Sequence, residues 1–434
     1  MRAVVVGAGA IGLTTAVSLR AAGHAVTLIA PELPGPGEGP SVAHQVRGAT
    51  HAAAGMLAPV GETQFSQDAL GGLLHQGWAA YPELIELLGR FTDAPTGFRA
   101  QGSWIVAADA ADARAWSRLL DHAGSRGRRV EPIAVSRLRR VEPALAPGLA
   151  QAHEAPDDHQ VDPRLLVRAC LAALTAETGP GGAPLPETAG PPATLLPGTV
   201  VAARQRGEDA VLDVAESAAG ALHADVAVLA AGLGHRDIGG APAEEPLALR
   251  PVHGDVLRLR VREEQLLPGE EHLLGRTVRA LVGGRQVYLV PRADRTLVVG
   301  ASSREDGLAG SHAGSVLDLL ADAAAVLPAV RECELLEVTA AARPGTPDDA
   351  PRVAALRGAP RLIVAAGFHR HGILLAPWAA ERAVDLVDAM RRGSADDAAT
   401  PPPEPRPAKE RPDDGTDGDD ADDPHDAEQG RNDA

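Results

Sequence analysis

The chain has one lysine, Lys409, among 434 residues. Mechanisms that hold a substrate or pyridoxal phosphate as a lysine imine need that amine in an ordered pocket, so they are excluded. The phosphate loop that ends in a lysine is absent too. Cysteine is nearly as scarce: Cys170 and Cys333 are isolated, with no CxxC pair. That spacing indicates neither a disulfide framework nor a zinc site. Aromatic residues make up 2% of the chain. No apolar run approaches a membrane span, and no basic, apolar leader precedes the first strand-like run. The net charge is −17, of which residues 394–434 carry −10 through fourteen acids and four bases, leaving about −7 for the rest. An acidic chain is a poor binder of nucleic acid. The expectation is a cytoplasmic protein with neither a membrane nor a nucleic-acid partner.

What is present begins at once. Ala3 to Val6 is a short β-branched apolar run that reads as a buried parallel strand. Gly7, Gly9 and Gly12 then form G-x-G-x-x-G, Ala10 to Ala22 has helical spacing, and Ala25 to Ile29 is a second apolar strand. Gly7 permits the tight turn, Gly9 lets a pyrophosphate reach the backbone, and Gly12 lets helix and strand pack closely. The helix N-terminus offers free N–H groups to phosphates. The unit reads as a dinucleotide site; the alternative is a Gly-rich turn in an ordinary α/β unit. The dinucleotide is not specified. An acid after the second strand should bind the adenosine ribose, and the nearest is Glu32, behind Ala30 and Pro31.

Further along, Leu33 to Gly48 is a Pro/Gly-rich loop, and residues 49–62 are a small-residue run permitting close backbone approach. Its alternative is a small-residue core helix. Leu70 to Leu88 has helical spacing and is expected to leave the nucleotide domain. Gly102 to Ala107 reads as a strand; Ala110 to Ala123 and Val135 to Arg140 read as helices. Residues 161–177 form a helix with Asp162 as N-cap and Pro163 in its first turn. Residues 178–198 look like a floppy surface insertion. A hairpin (198–203 and 210–214), a buried strand (225–230) and strands at 250–260, 286–290 and 296–300 follow, the last three in an antiparallel sheet. Ser315 to Leu327 and Ala379 to Met390 read as helices around a late parallel strand, Arg361 to Ala366. From Ser394 on, almost no large apolar residue remains, so disorder is expected.

Several segments together resemble the flavin-dependent D-amino-acid oxidase superfamily, and within it glycine oxidases of the thiamine-biosynthesis type. They are VVVGAGAIGL (4–13), HAAAGMLAP (51–59), QVYLVPR (286–292), TLVVGAS (296–302), ARPGTPDDAP (342–351) and AAGFHRHGILLAP (365–377). The resemblance implies an α/β plus α+β fold, with a Rossmann-like FAD-binding domain interleaved with an antiparallel-sheet substrate domain. The FAD domain would take 1–78, 158–240 and 336–393, and the substrate domain 79–157 and 241–335. By position, FAD would meet Gly7, Gly9, Ala10, Ile11, Gly12 and Glu32. Thr50, Ala54, Gly55 and Met56 would lie along the flavin, Val200 on the adenine side, and Phe368, His369, Arg370, His371, Gly372, Ile373 and Leu374 around the ring.

The resemblance also implies Arg343 as the substrate carboxylate clamp, with Tyr288 donating to the same carboxylate and Arg370 closing the flavin side. A guanidinium matches a carboxylate with two parallel hydrogen bonds and stays charged. The alternative for both arginines is an ordinary surface position, and for Tyr288 a core aromatic. In some relatives a histidine stands where this chain has Gln286. His369 and His371, two residues apart without a third ligand, are weak metal ligands, and no metal is expected. His253 reads as structural rather than as a base. The implied reaction is oxidation of glycine to its imine, then glyoxylate and ammonia, with O2 reduced to hydrogen peroxide. It would supply thiamine thiazole synthesis from a homotetramer. Sarcosine or a small D-amino acid such as D-alanine is the nearest alternative substrate. A nicotinamide-dependent dehydrogenase and a non-catalytic flavin-binding protein are the alternatives of other classes.

Overall fold

The computed structural model describes residues 1–34, 48–65, 67–215, 220–240, 247–266 and 268–393, with Asp68 by its backbone alone. Strands Arg2–Val6 and Ala25–Ala30 lie parallel, joined by helix Ala10–Ala21, so the opening unit forms as expected. They sit in a six-stranded sheet. Its order is Arg352–Leu356, Ala359–Ala366, Val226–Leu229, Arg2–Val6, Ala25–Ala30 and Thr194–Pro197. All neighbours are parallel except the Arg352–Leu356 edge. The central runs are apolar without alternation because both faces are covered. Ala3 and Val5 point into a core shared with Leu13, Val17, Leu171 and Leu386 of the packed helices. Val4 and Val6 point the other way, onto the antiparallel meander Val200–Arg206, Asp209–Val214 and Ala221–Ala224.

The second sheet has eight strands, in the order Glu334–Gly345, Arg250–Arg260, Thr296–Gly300, Arg285–Pro291, Thr277–Val282, Ser103–Ala107, Gln151–Ala155 and Glu131–Pro132. It is antiparallel except where Thr277–Val282 runs parallel to Ser103–Ala107. Helix Ala313–Val326 covers one face through Leu319, Ala323 and Val326.

Three expectations change. Residues 178–198 are not all loose: Thr194–Pro197 adds a sixth strand beside Ala25–Ala30, because its apolar pair Leu195–Leu196 finds the open edge of the sheet. Helix Asp68–Gly89 does not leave the nucleotide layer: Leu74, Tyr81, Leu84 and Leu88 pack in the same core as Leu13 and Leu386. The expected boundaries at 78/79 and 335/336 fall inside that helix and inside strand Glu334–Gly345. Helix Pro163–Thr175 forms as read, with the Asp162 carboxylate accepting from the amides of Arg164 and Leu165. Most of the loop expected at 33–48, and all of the acidic tail, lie outside the described residues. No described helix is long and apolar enough to cross a membrane.

Candidate active site

The glycine turn is built for close approach. Gly7 has φ +106°, and a Cβ there would lie 2.5 Å from the Ala230 carbonyl oxygen. At Gly12 a Cβ would lie 3.0 Å from the Gly7 carbonyl carbon. Gly12 thus sets the helix–strand distance. It is not in the wall of the cavity that Gly7, Gly9, Ala10 and Ile11 line. The first helical turn carries no acid and no capping side chain on Gly9. One of its amides, Ala10 N, donates to Thr50 Oγ1 at 3.0 Å.

That cavity holds about 980 Å³. Glu32, Val200, Thr50, Ala54, Gly55 and Met56 line it as well. The small-residue run is one helical turn, Ala49–Ala52, then an extended segment, rather than a core helix. Two buried arginines hold its carbonyls. Arg258 donates to the oxygen of His51 at 3.1 Å; Arg292 donates to the oxygen of Ala54, and to Gln160 and Val161 at 2.8 and 3.1 Å. Burial, then the nearby Arg164 charge, pushes the Arg258 guanidinium down to about 10, so it keeps its charge at neutral pH.

Tyr288, Arg343 and Arg370 line the same cavity. Neighbouring glycines make the room. A Cβ on Gly300 would lie 2.5 Å from Tyr288 Cζ, and one on Gly254 would lie 2.6 Å from Arg343 Cζ. Arg343 donates to the Ser302 carbonyl oxygen at 3.3 and 3.2 Å. Ser302 is in turn held by Asp255, which accepts from its Oγ at 2.6 Å and pairs with Arg304 at 3.2 Å. Burial lowers Arg343 from its ordinary value, yet the group still starts from a strongly basic one. Burial raises Tyr288, and Arg343 and Arg279 only partly oppose this, so the phenol keeps its proton and can donate. Arg370 Nε lies 3.0 Å from Glu62 Oε2, and Arg279 bonds the other oxygen of Glu62. Burial alone would raise Glu62, but Arg370, Arg279 and His371 outweigh it and hold the carboxyl well below its usual range.

Phe368 to Leu374 also line the cavity. His369 sits at φ +46° with Nδ1 3.3 Å from Asp349, and burial pushes His371 down to about 4, so it is neutral. Among the described residues no three potential ligands gather as a metal site. Gln286 lines the cavity. His253 is buried; its backbone pairs with Arg304, and Nδ1 has no hydrogen-bond partner.

Reading by residue type missed Glu62, Arg279, Gly254, Gly300 and Asp255. A usable signal existed for Arg279: a lone arginine in the apolar run Thr277–Val282 must find a buried partner. The ensemble fits a dinucleotide with a small anionic substrate. The volume lies at the upper end of small-molecule sites, roughly 300–1,000 Å³, and the glycine cradle and uncapped helix end suit a pyrophosphate.

A family model described as FAD dependent oxidoreductase matches residues 2–386. The chain is 31% identical over 356 residues to a glycine oxidase of Geobacillus kaustophilus, covering 81% of this chain and 86% of that protein. It is 28% identical over 386 residues to the bifunctional protein ThiO/ThiG of Trichormus variabilis, covering 88% of this chain and 52% of the relative. The chain therefore spans about half the length of the bifunctional relatives it matches. The crystal structure of glycine oxidase from Geobacillus kaustophilus superposes with a TM-score of 0.73 at 28% identity, covering 89% of this chain and 95% of that one.

Proposed function

The chain belongs to the FAD-dependent oxidoreductase family, and from that premise we propose that it is an amino-acid oxidase. It converts glycine, water and O2 to glyoxylate, ammonia and hydrogen peroxide. Family membership sets aside the nicotinamide reading. The glycine oxidase relative supports glycine as substrate, and a Rhizobium etli relative named putative thiamine biosynthesis oxidoreductase ThiO supports a use in thiamine synthesis.

The observation that carries the reading is one cavity lined both by the glycine turn and by Arg343, Tyr288 and Arg370. Gly7, Gly9, Ala10, Ile11 and Thr50 would hold the pyrophosphate side, Glu32 the ribose, Val200 the adenine side, and Ala54 to Met56 with Phe368 to Leu374 the flavin. Bound there, FAD would supply a two-electron acceptor that O2 reoxidises.

Arg343 takes the substrate carboxylate with two charge-assisted N–H···O bonds, and its anchor on Ser302 fixes the angle of approach. Tyr288 donates its hydroxyl to the same carboxylate. Arg370, tied to Glu62, closes the pocket. With the carboxylate pinned at two points, the Cα–H bond has one orientation, and positioning supplies much of the rate. The amine must be neutral to release hydride, and its proton leaves to solvent, since no side-chain base is needed.

The test is peroxide release by purified holoenzyme with glycine, sarcosine and D-alanine. Glycine is expected to have the highest kcat/KM. Preference for sarcosine or D-alanine would move the chain to another oxidase of the family, and silence on all three would overturn the reading.

A further inference from the structure

Four guanidinium groups line the cavity; Arg285 is paired with Asp322, which leaves Arg279, Arg343 and Arg370. One carboxylate, Glu62, meets two of them. Its side chain is 11% exposed against 6% for Arg279 and 29% for Arg370; Oε1 accepts a hydrogen bond from Arg279, and Oε2 is ion-paired with Arg370 Nε at 3.0 Å. The other groups that face it are His371, with Nδ1 at 3.8 Å, Asp158 behind Arg279, and Tyr288 and Arg343 across the pocket. His371 is neutral there, and burial raises Asp158 to about 7. At neutral pH the fixed charge on this wall is thus cationic, and Glu62 is its main offset.

An amino acid reaches the pocket as a zwitterion. Guanidinium groups attract its carboxylate and repel its ammonium. At about 6 Å and an effective dielectric near 20, one uncompensated charge changes binding by roughly tenfold or more. A pocket of bare arginines would therefore favour a simple carboxylate over an amino acid. We propose that Glu62 is the positioning and specificity residue of this pocket: its carboxylate fixes Arg279 and Arg370 and offsets their charge, so that the zwitterion of an amino acid is admitted in preference to a carboxylate without an amine. The inference rests on the amino-acid oxidase reading above.

The test compares holoenzyme carrying Glu62→Gln, which keeps shape and loses charge, with Glu62→Asp, which keeps charge. Acetate and anaerobic glycine are each titrated at neutral pH, read by the perturbation of flavin absorbance, and glycine KM is read from peroxide release. In E62Q, acetate binding is expected to tighten by about tenfold while glycine binding and KM weaken by about tenfold. E62D is expected to return both towards wild type. A brace without an electrostatic role would move acetate and glycine in the same direction. That result, no change in either, or loss of FAD from both variants would overturn the proposal. Wild-type holoenzyme that binds glycine but releases no peroxide would overturn the oxidase reading alone, because the paired titrations still report on Glu62.

Discussion

Among the described residues Arg343 donates to the backbone oxygens of Ser302 and His253 and to no carboxylate. A charge-assisted pair of bonds to a substrate carboxylate is worth about 3 kcal/mol. Arg343→Ala is therefore expected to raise the glycine KM by roughly 100-fold while FAD stays bound, as measured by steady-state kinetics and flavin absorbance. Elsewhere in the cavity wall, Thr50→Val removes the acceptor of the Ala10 amide. The expected result is FAD binding weakened by about fivefold, one ordinary hydrogen bond, in a fluorescence titration. At this scale the sequence was informative where chemistry needs a fixed residue type. The resemblance pointed to Arg343, Tyr288 and Arg370, and all three line one cavity. Glu62 and Gly254 were not, because a carboxylate or a glycine becomes informative only when its spatial neighbour is known, and Arg279 and Arg343 come from distant strands.

Between elements, Asp158 is the sharpest case. Fully buried, it accepts from the Val60 amide at 3.1 Å and from Ser103 Oγ at 2.8 Å, tying the segment after the small-residue run to a strand of the large sheet. Burial raises it to about 7, against the partial opposition of Ser103 and Arg279. The folded state thus holds a proton that the unfolded chain has lost. The stability this contributes is complete below the unfolded value near 4 and declines as pH rises to about 7, by at most about 4 kcal/mol. Thermal melts of the holoenzyme at pH 5 and pH 8 are expected to show a loss of Tm that is smaller in Asp158→Asn; an equal loss would assign the effect to other groups. Gly300→Ala would drive a Cβ into the Tyr288 ring, and the expected outcome is a raised glycine KM with the fold retained by circular dichroism. The buried parallel strands were legible because apolar runs bounded by glycine have few other uses. Glu334–Gly345 was not: it is an edge strand, mostly partly exposed, whose ELLEVTAAARPG lacks a period of two.

For the whole molecule, the cavity draws on three sheets, taking Gly7 from the end of a strand of the six-stranded sheet, Val200 from the antiparallel meander and Tyr288 and Arg343 from the eight-stranded sheet. A ligand that binds only the folded chain stabilises it by RT ln(1 + [L]/Kd), about 2.7 kcal/mol at one hundred times Kd. Removing FAD is expected to lower Tm, and adding it back to restore the value with a saturable dependence on FAD concentration. The fold class was legible in advance because the opening unit and the late strand at 361–366 frame one parallel sheet. Domain boundaries were not, since helix Asp68–Gly89 is amphipathic towards whichever core it meets. The most direct test of the central claim is anaerobic mixing of the FAD-loaded protein with glycine. The account predicts that glycine bleaches the visible absorbance of the wild-type flavin at low concentration, and that Arg343→Ala needs far more glycine for the same rate. Bleaching by another amine but not by glycine, or an Arg343→Ala response equal to wild type, would contradict it.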